Sequence, residues 1–301
     1  MSYEFPYNAE YDVENFQIIN TENISKTTPF AADLCVVTDD ILDSDIDSES
    51  DYSVALLCDL SENTVLYAED AHLKVYPASL TKVMTAIVAL KYGSPDQVLT
   101  ASTAVNITEK GAQLCGVRKG DTMTLSQALH ILLIYSANDV AMMIAEGIAG
   151  SVDEFVRLMN EEARAIGATN TQFTNPHGLS DTEHYTTAYD LYLILNEAAK
   201  YDSIREIIQM QNYETTYFDK KGKKKNLSVL NTNRYFKGDF DVPEGITLLG
   251  GKTGSTNAAG HCLMILVQDD SGREYISIVV RSATSDDLYS KMSDLLIKIG
   301  K

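Results

Sequence analysis

Three short stretches hold residue types that could do chemistry together. In Ser79-Leu80-Thr81-Lys82 a hydroxyl and an amine stand three residues apart. Pro77 and Ala78 lead into Ser79, and an apolar run at helical spacing follows it (Leu80, Val83, Met84, Ile87, Val88). The pattern predicts a helix that carries Ser79 in its first turn and Lys82 one turn on, on the same face. A serine hydroxyl is a weak nucleophile until a base removes its proton, and a neutral lysine can be that base. A helix N-terminus also offers backbone N–H groups to a developing negative charge. Alone, Ser-x-x-Lys has only two fixed positions and reads more simply as a capping serine followed by a solvated lysine.

Two later stretches change that reading. Ser136-Ala137-Asn138 falls where one helical pattern stops and another starts, so its side chains can project into a cleft. Lys252-Thr253-Gly254 falls on or just after a strand, and Gly254 allows another chain to approach the strand edge closely. Strand patterns cover Ser53–Asp59 and 64–68, then 213–218, 227–230, 246–249, 261–268 and 274–281. Helical patterns run from Ser79 to about Tyr92, from 124 to about 135, over 139–148, from the capping box at Ser151 to Gly167, over 187–200 and over 285–299. Strands, a helical block, strands and a last helix predict an α+β fold. Its one antiparallel sheet pairs the first strands with the last, with helices inserted between.

The net charge is −19, and residues 1–51 hold 13 acidic residues against one lysine. Such acidity argues against nucleic acid as a partner, because phosphates need a basic face. The lysines around Gly222 (Lys220, Lys221, Lys223, Lys224, Lys225) read as a solvated hairpin tip. Residues 1–47 read as an acidic, flexible extension, and 48–301 as the catalytic domain, with a helical subdomain over about 95–210. No stretch is long and apolar enough for a transmembrane helix, and the first residues lack the pattern of a signal peptide. Cys35, Cys58, Cys115 and Cys262 are scattered, without a Cys-x-x-Cys pair, and read as small buried residues. His177 and His184 lack a further ligand set, so no metal or other cofactor is expected and both are read as bracing a loop. Gly250-Gly251-Lys252-Thr253 lacks the earlier glycine of a phosphate-binding loop, since position 246 is Ile.

The order Ser-x-x-Lys, Ser-x-Asn, Lys-Thr-Gly resembles the signature of penicillin-binding proteins and β-lactamases. With Pro77–Ala86, Thr174–Leu179, His184–Asp190 and Leu230–Asn233, residues from about 50 to 301 resemble the serine-type D-alanyl-D-alanine carboxypeptidases, the low-molecular-mass penicillin-binding proteins. The resemblance implies the β-lactamase/DD-peptidase-like fold and a Ser79 acyl-enzyme that trims peptidoglycan stem peptides ending in D-Ala-D-Ala. It also implies β-lactam antibiotics as covalent inhibitors. Lys82 would take the serine proton, Ser136 would relay it to the leaving amine, and Asn138 would hold the substrate amide and Lys82. Lys252 and Thr253 would bind the terminal carboxylate, Gly254 would admit the substrate strand, and the N–H groups of Ser79 and Ser255 would form the oxyanion hole. The substrate implies a location outside the cytoplasmic membrane, with signal peptide and any membrane anchor absent from this chain.

The family often carries an arginine shortly after the last strand. Here that stretch is Thr284-Ser285-Asp286-Asp287-Leu288-Tyr289, leaving Arg281 as the candidate substitute. A class A β-lactamase is the nearest alternative, but its Glu-x-x-Leu-Asn pattern is missing. A non-catalytic penicillin sensor or wall-binding module on the same fold is the other.

Overall fold

The computed structural model describes residues 33–44, 46 and 53–299. Its strands are β1 (Val54–Asp59), β2 (Thr64–Glu69), β3 (Val98–Thr100), β4 (Thr122–Thr124), β5 (Asn212–Phe218), β6 (Lys224–Leu230), β7 (Ile246–Thr256), β8 (Gly260–Asp269) and β9 (Glu274–Ser282). Its helices are α1 (Thr81–Tyr92), α2 (Leu125–His130), α3 (Asn138–Ala149), α4 (Val152–Ala165), α5 (Ala188–Ala198), α6 (Asp202–Ile208), α7 (Arg234–Lys237) and α8 (Ser285–Leu296).

The main sheet has the order β2-β1-β9-β8-β7, and every pair is antiparallel. The first strands therefore pair with the last, as the sequence predicts. The central strands are apolar on both faces, and alternation sorts their residues into two cores. Val54, Leu56, Cys58, Met264 and Ile278 join the core that includes residues of α1 and α5. Ala55, Leu57, Leu263, Ile265 and Val279 join Leu288, Met292 and Leu295 of α8. Covering both faces explains why these strands read as nearly continuous apolar runs. A buried ion pair, Lys291 Nζ to Glu69 Oε2 at 2.6 Å, ties α8 to β2.

α1 is buried from Thr81 through Ala89, so it is a central helix and not an amphipathic surface one. It packs against α3, α4 and α5 of the inserted block. Burying each large apolar side chain here contributes about 1.5–3 kcal/mol. The helix that follows Ser79 is thereby held by packing against three others.

A second sheet, β3-β4-β5-β6, departs from the single sheet expected. The 213–218 and 227–230 patterns do form its hairpin, but β3 and β4 are three residues each, too short for alternation to announce them.

Most of the extension expected over 1–47 lies outside the described residues. Its described part is packed: Cys35 and Val37 are buried, Cys35 N donates to Tyr192 Oη at 2.9 Å, and Ile41 bridges Ala68. Ile46 is buried in the α8 core. All four cysteines are unbridged, and three of them are buried.

Candidate active site

The chain enters the site through a 3-10 turn at Ala78–Leu80, just ahead of α1. Ser79 sits in this turn, a half-step before the helix turn expected for it. Ala78 holds a left-handed backbone (φ 47°), and its carbonyl accepts from Thr81 Oγ1 at 2.8 Å. Backbone strain of this kind in a non-glycine residue costs about 1–3 kcal/mol and persists only where neighbours enforce it. Two glycines do so. A Cβ on Gly178 would lie 1.8 Å from Ala78 O, and one on Gly254 would lie 2.8 Å from Ser79 N. The close approach predicted for Gly254 is therefore real, and its neighbour is the turn that carries Ser79.

Lys82 Nζ lies 2.8 Å from Ser79 Oγ, 2.6 Å from Asn138 Oδ1 and 2.6 Å from His177 O. Burial pushes this amine well below the ordinary lysine pKa, the charge of Lys252 adds to the effect, and Asp139 opposes it. In its neutral form Nζ has two N–H donors, which match the two carbonyl oxygens of Asn138 and His177. The lone pair is then left for the Ser79 hydroxyl. Lys252, wholly buried, is lowered to about 7 by its burial and donates to Thr253 O at 2.8 Å.

Ser136 ends the turn of π-helix Ile131–Tyr135 and adopts a left-handed conformation (φ 69°), which allows α3 to begin at Asn138 in a new direction. Its Oγ is buried and has no hydrogen-bond partner among the described residues. A buried, unpaired hydroxyl costs stability and is kept where something else uses it.

The loop opposite is held by a residue the sequence reading did not single out. Asp139 accepts from Cys115 N (3.2 Å), Gly116 N (2.8 Å), Val117 N (3.0 Å) and Val140 N (3.1 Å). Asn138 N in turn donates to Gln113 O at 2.8 Å. Asp139 follows the Ser-x-Asn motif directly, so the signal was adjacency to Asn138.

His184 Nδ1 accepts from Thr174 N at 3.0 Å, which leaves Nε2–H to donate to Thr81 Oγ1 at 2.8 Å. His177 Nδ1 accepts from Leu179 N at 3.1 Å. Burial pushes His177 down to about 3 and His184 to about 4, so both are neutral. They brace the loop behind Ser79, as read from the sequence, and His184 has no nitrogen to spare for a metal.

These groups surround a cleft of about 270 Å³. Ser79, Ser136, Asn138, Thr253, Gly254 and Ser255 line it, while Lys82 and Lys252 stand behind its wall. Thr232 also lines the cleft, hydrogen-bonded to Thr253 Oγ1. Arg281, the expected substitute cation, does not: it is exposed, at the end of β9. The arginine lining the cleft is Arg234 of α7. It follows Leu230–Asn233 by one residue, which is the signal that could have found it.

Ser79, with the buried amine of Lys82 at hydrogen-bond distance, thus stands beside an edge strand of an α+β fold. The model of the D-alanyl-D-alanine carboxypeptidase family matches residues 42–284, and the chain belongs to that family. It is 31% identical over 250 residues to the D-alanyl-D-alanine carboxypeptidase DacF of Bacillus subtilis, covering 80% of this chain and 60% of the relative. A D-alanyl-D-alanine endopeptidase of Pseudomonas aeruginosa is 31% identical over 230 residues (76% of this chain, 70% of the relative). Among solved structures, the DD-transpeptidase of Streptomyces K15 matches with a TM-score of 0.74 at 25% identity (81% of this chain, 95% of that one). The D-alanyl-D-alanine carboxypeptidase of Mycobacterium tuberculosis matches with a TM-score of 0.70 at 27% identity (81% and 88%). The chain spans 60% and 59% of the first two curated carboxypeptidases it matches.

Proposed function

We propose that this protein is a serine DD-carboxypeptidase that removes the terminal D-alanine from peptidoglycan stem peptides, and that β-lactams acylate the same serine. The observation that carries the reading is the 2.8 Å contact between Ser79 Oγ and the desolvated amine of Lys82. Lys82 Nζ takes the hydroxyl proton as Oγ attacks the carbonyl between the two D-alanines. The N–H groups of Ser79 and Ser255 receive the oxyanion. The proton then passes from Lys82 by way of Ser136 Oγ to the leaving amine, which departs as D-alanine. Water then attacks the Ser79 ester, a base takes one of its protons, and the shortened peptide leaves as Ser79 recovers its own. Asn138 holds the substrate amide and fixes Lys82, and Lys252 with Thr253 holds the terminal carboxylate.

Family members carry carboxypeptidase, endopeptidase and transpeptidase names, and trimming is the activity most consistent with a small cleft that has cations at one end. No carboxylate side chain lines the cleft among the described residues, which argues against rapid β-lactam hydrolysis by an activated water. The substrate places the working enzyme outside the cytoplasmic membrane. Among the described residues no helix is long and apolar enough to cross one. We further propose that residues 1–33 precede the catalytic domain as an acidic extension. Release of free D-alanine from a diacyl tripeptide ending in D-Ala-D-Ala tests the activity. Release that vanishes in Ser79→Ala supports it, and an acylated but non-hydrolysing protein would instead be a penicillin sensor.

A further inference from the structure

Arg234 sits where the second sheet hands the chain back to the first, between β6 and β7, and its position is unusually determined. Its backbone N–H donates to Tyr289 Oη at 2.8 Å, and its guanidinium lies over the rings of Phe240 (4.5 Å) and Tyr289 (5.6 Å). Nη1 reaches Ser285 Oγ at 3.0 Å and Asp286 Oδ1 at 2.6 Å, and Nε reaches Asp239 Oδ2 at 3.2 Å. Tyr289 and Ser285 line the cleft with it. Thr232, two residues earlier, is bonded to Thr253. The arginine is therefore tied to the Lys252-Thr253 end of the cleft.

Charge gives this placement its meaning. Apart from His261, Arg234 is the one basic side chain lining the cleft among the described residues. Lys252 is buried and holds its proton only up to about pH 7. A guanidinium keeps its charge at every working pH and offers a planar fork that fits a carboxylate. One counter-ion of Arg234 is a poor competitor: the Asp286 side chain is 78% exposed. Ion pairs of such exposed groups contribute little, so exchanging Asp286 for another carboxylate costs little.

We propose that Arg234 is the specificity-determining cation of this enzyme, binding the substrate's C-terminal carboxylate in exchange for Asp286. The inference rests on the peptidase reading given above and names the group that selects its substrate's charged end. Asp286 holds the guanidinium in place while the cleft is empty. Substrate displaces it, while Asp239 and the two rings keep the fork oriented.

The test compares a diacyl tripeptide ending in D-Ala-D-Ala with its C-terminal amide, on the whole protein. Arg234→Gln should lower kcat/KM for the acid at least about tenfold, the scale of a charge-assisted contact, through KM. It should change the amide less than about twofold. Arg234→Lys, which restores the charge without the fork, should recover part of the loss. Asp286→Asn should raise kcat/KM for the acid by about two- to fivefold, as expected for removing a weak competing pair, and leave the amide unchanged. Equal loss on acid and amide in Arg234→Gln would make the residue structural and overturn the proposal. A fall on the acid in Asp286→Asn would overturn the exchange. If the unaltered protein releases no D-alanine from either peptide, the peptidase reading fails instead. Acylation by benzylpenicillin and by its methyl ester then decides on Arg234: an acid-specific loss supports it, and an equal loss overturns it.

Discussion

Gly178→Ala should damage catalysis out of proportion to its size. Gly178 has φ 85°, where a residue with a Cβ pays about 1–2 kcal/mol. The added Cβ would also sit 1.8 Å from Ala78 O, 2.5 Å from Ala78 C and 2.9 Å from Thr81 Oγ1, whereas real contacts are at least 3.0 Å. The two nearest colliding atoms, Ala78 O and C, are backbone and cannot rotate away. Ala78 cannot yield freely either, because its carbonyl is held by Thr81 and Thr81 by His184. The stretch 176–179 must therefore move away from Ser79, and it carries the His177 carbonyl that holds Lys82. A misplacement of about 1 Å in a catalytic pair costs on the order of 100-fold. Gly222→Ala is the control: φ is 75°, but nothing lies within 4 Å of the added Cβ. Urea unfolding and the rate of penicillin acylation should separate the two. Gly222→Ala should lose about 1 kcal/mol with acylation unchanged, and Gly178→Ala should lose more and acylate about 100-fold more slowly. Equal effects of both variants on acylation would refute the reasoning.

Ser136→Ala removes a buried hydroxyl that has no partner among the described residues. Its melting temperature should stay level or rise while D-alanine release falls, and a large stability loss would assign the hydroxyl a structural role instead. Folded Lys252 gives up its proton near pH 7, whereas the unfolded chain keeps it to about 10.5. The unfolded state then binds more protons across that window, so this lysine's contribution to stability rises with pH there. The urea midpoint should accordingly gain between about pH 7 and about pH 10, and Lys252→Met should flatten that gain. Lys291→Met strands Glu69 in the interior and should cost about 3–5 kcal/mol, with Glu69→Gln added in the double variant recovering part of it. Chemical denaturation of the three variants checks this.

The proposed catalytic groups were legible because such chemistry demands short fixed spacings, and Ser79 and Lys82 meet across one helical turn as their separation dictates. The central strands were legible as long apolar runs. β3 and β4 were not, since strands of three residues carry no period and are defined by their pairing with one another. The packing of Cys35 and Val37 was hidden by the acidic residues that follow them. Gln113 joins the site through a tertiary contact that no local pattern encodes, while for Asp139 and Arg234 the only local signal was adjacency to Asn138 and to Leu230–Asn233. Arg281 was near the right place in sequence, but it stands exposed at the end of β9, outside the cleft, while α7 supplies the arginine that lines it.

The most direct test of the central claim is the intact mass of the protein followed over time after benzylpenicillin, with Ser79→Ala alongside. The account predicts one persistent adduct, carried by a peptide containing Ser79 and missing from the variant. No adduct, or an adduct that survives in Ser79→Ala, would contradict it.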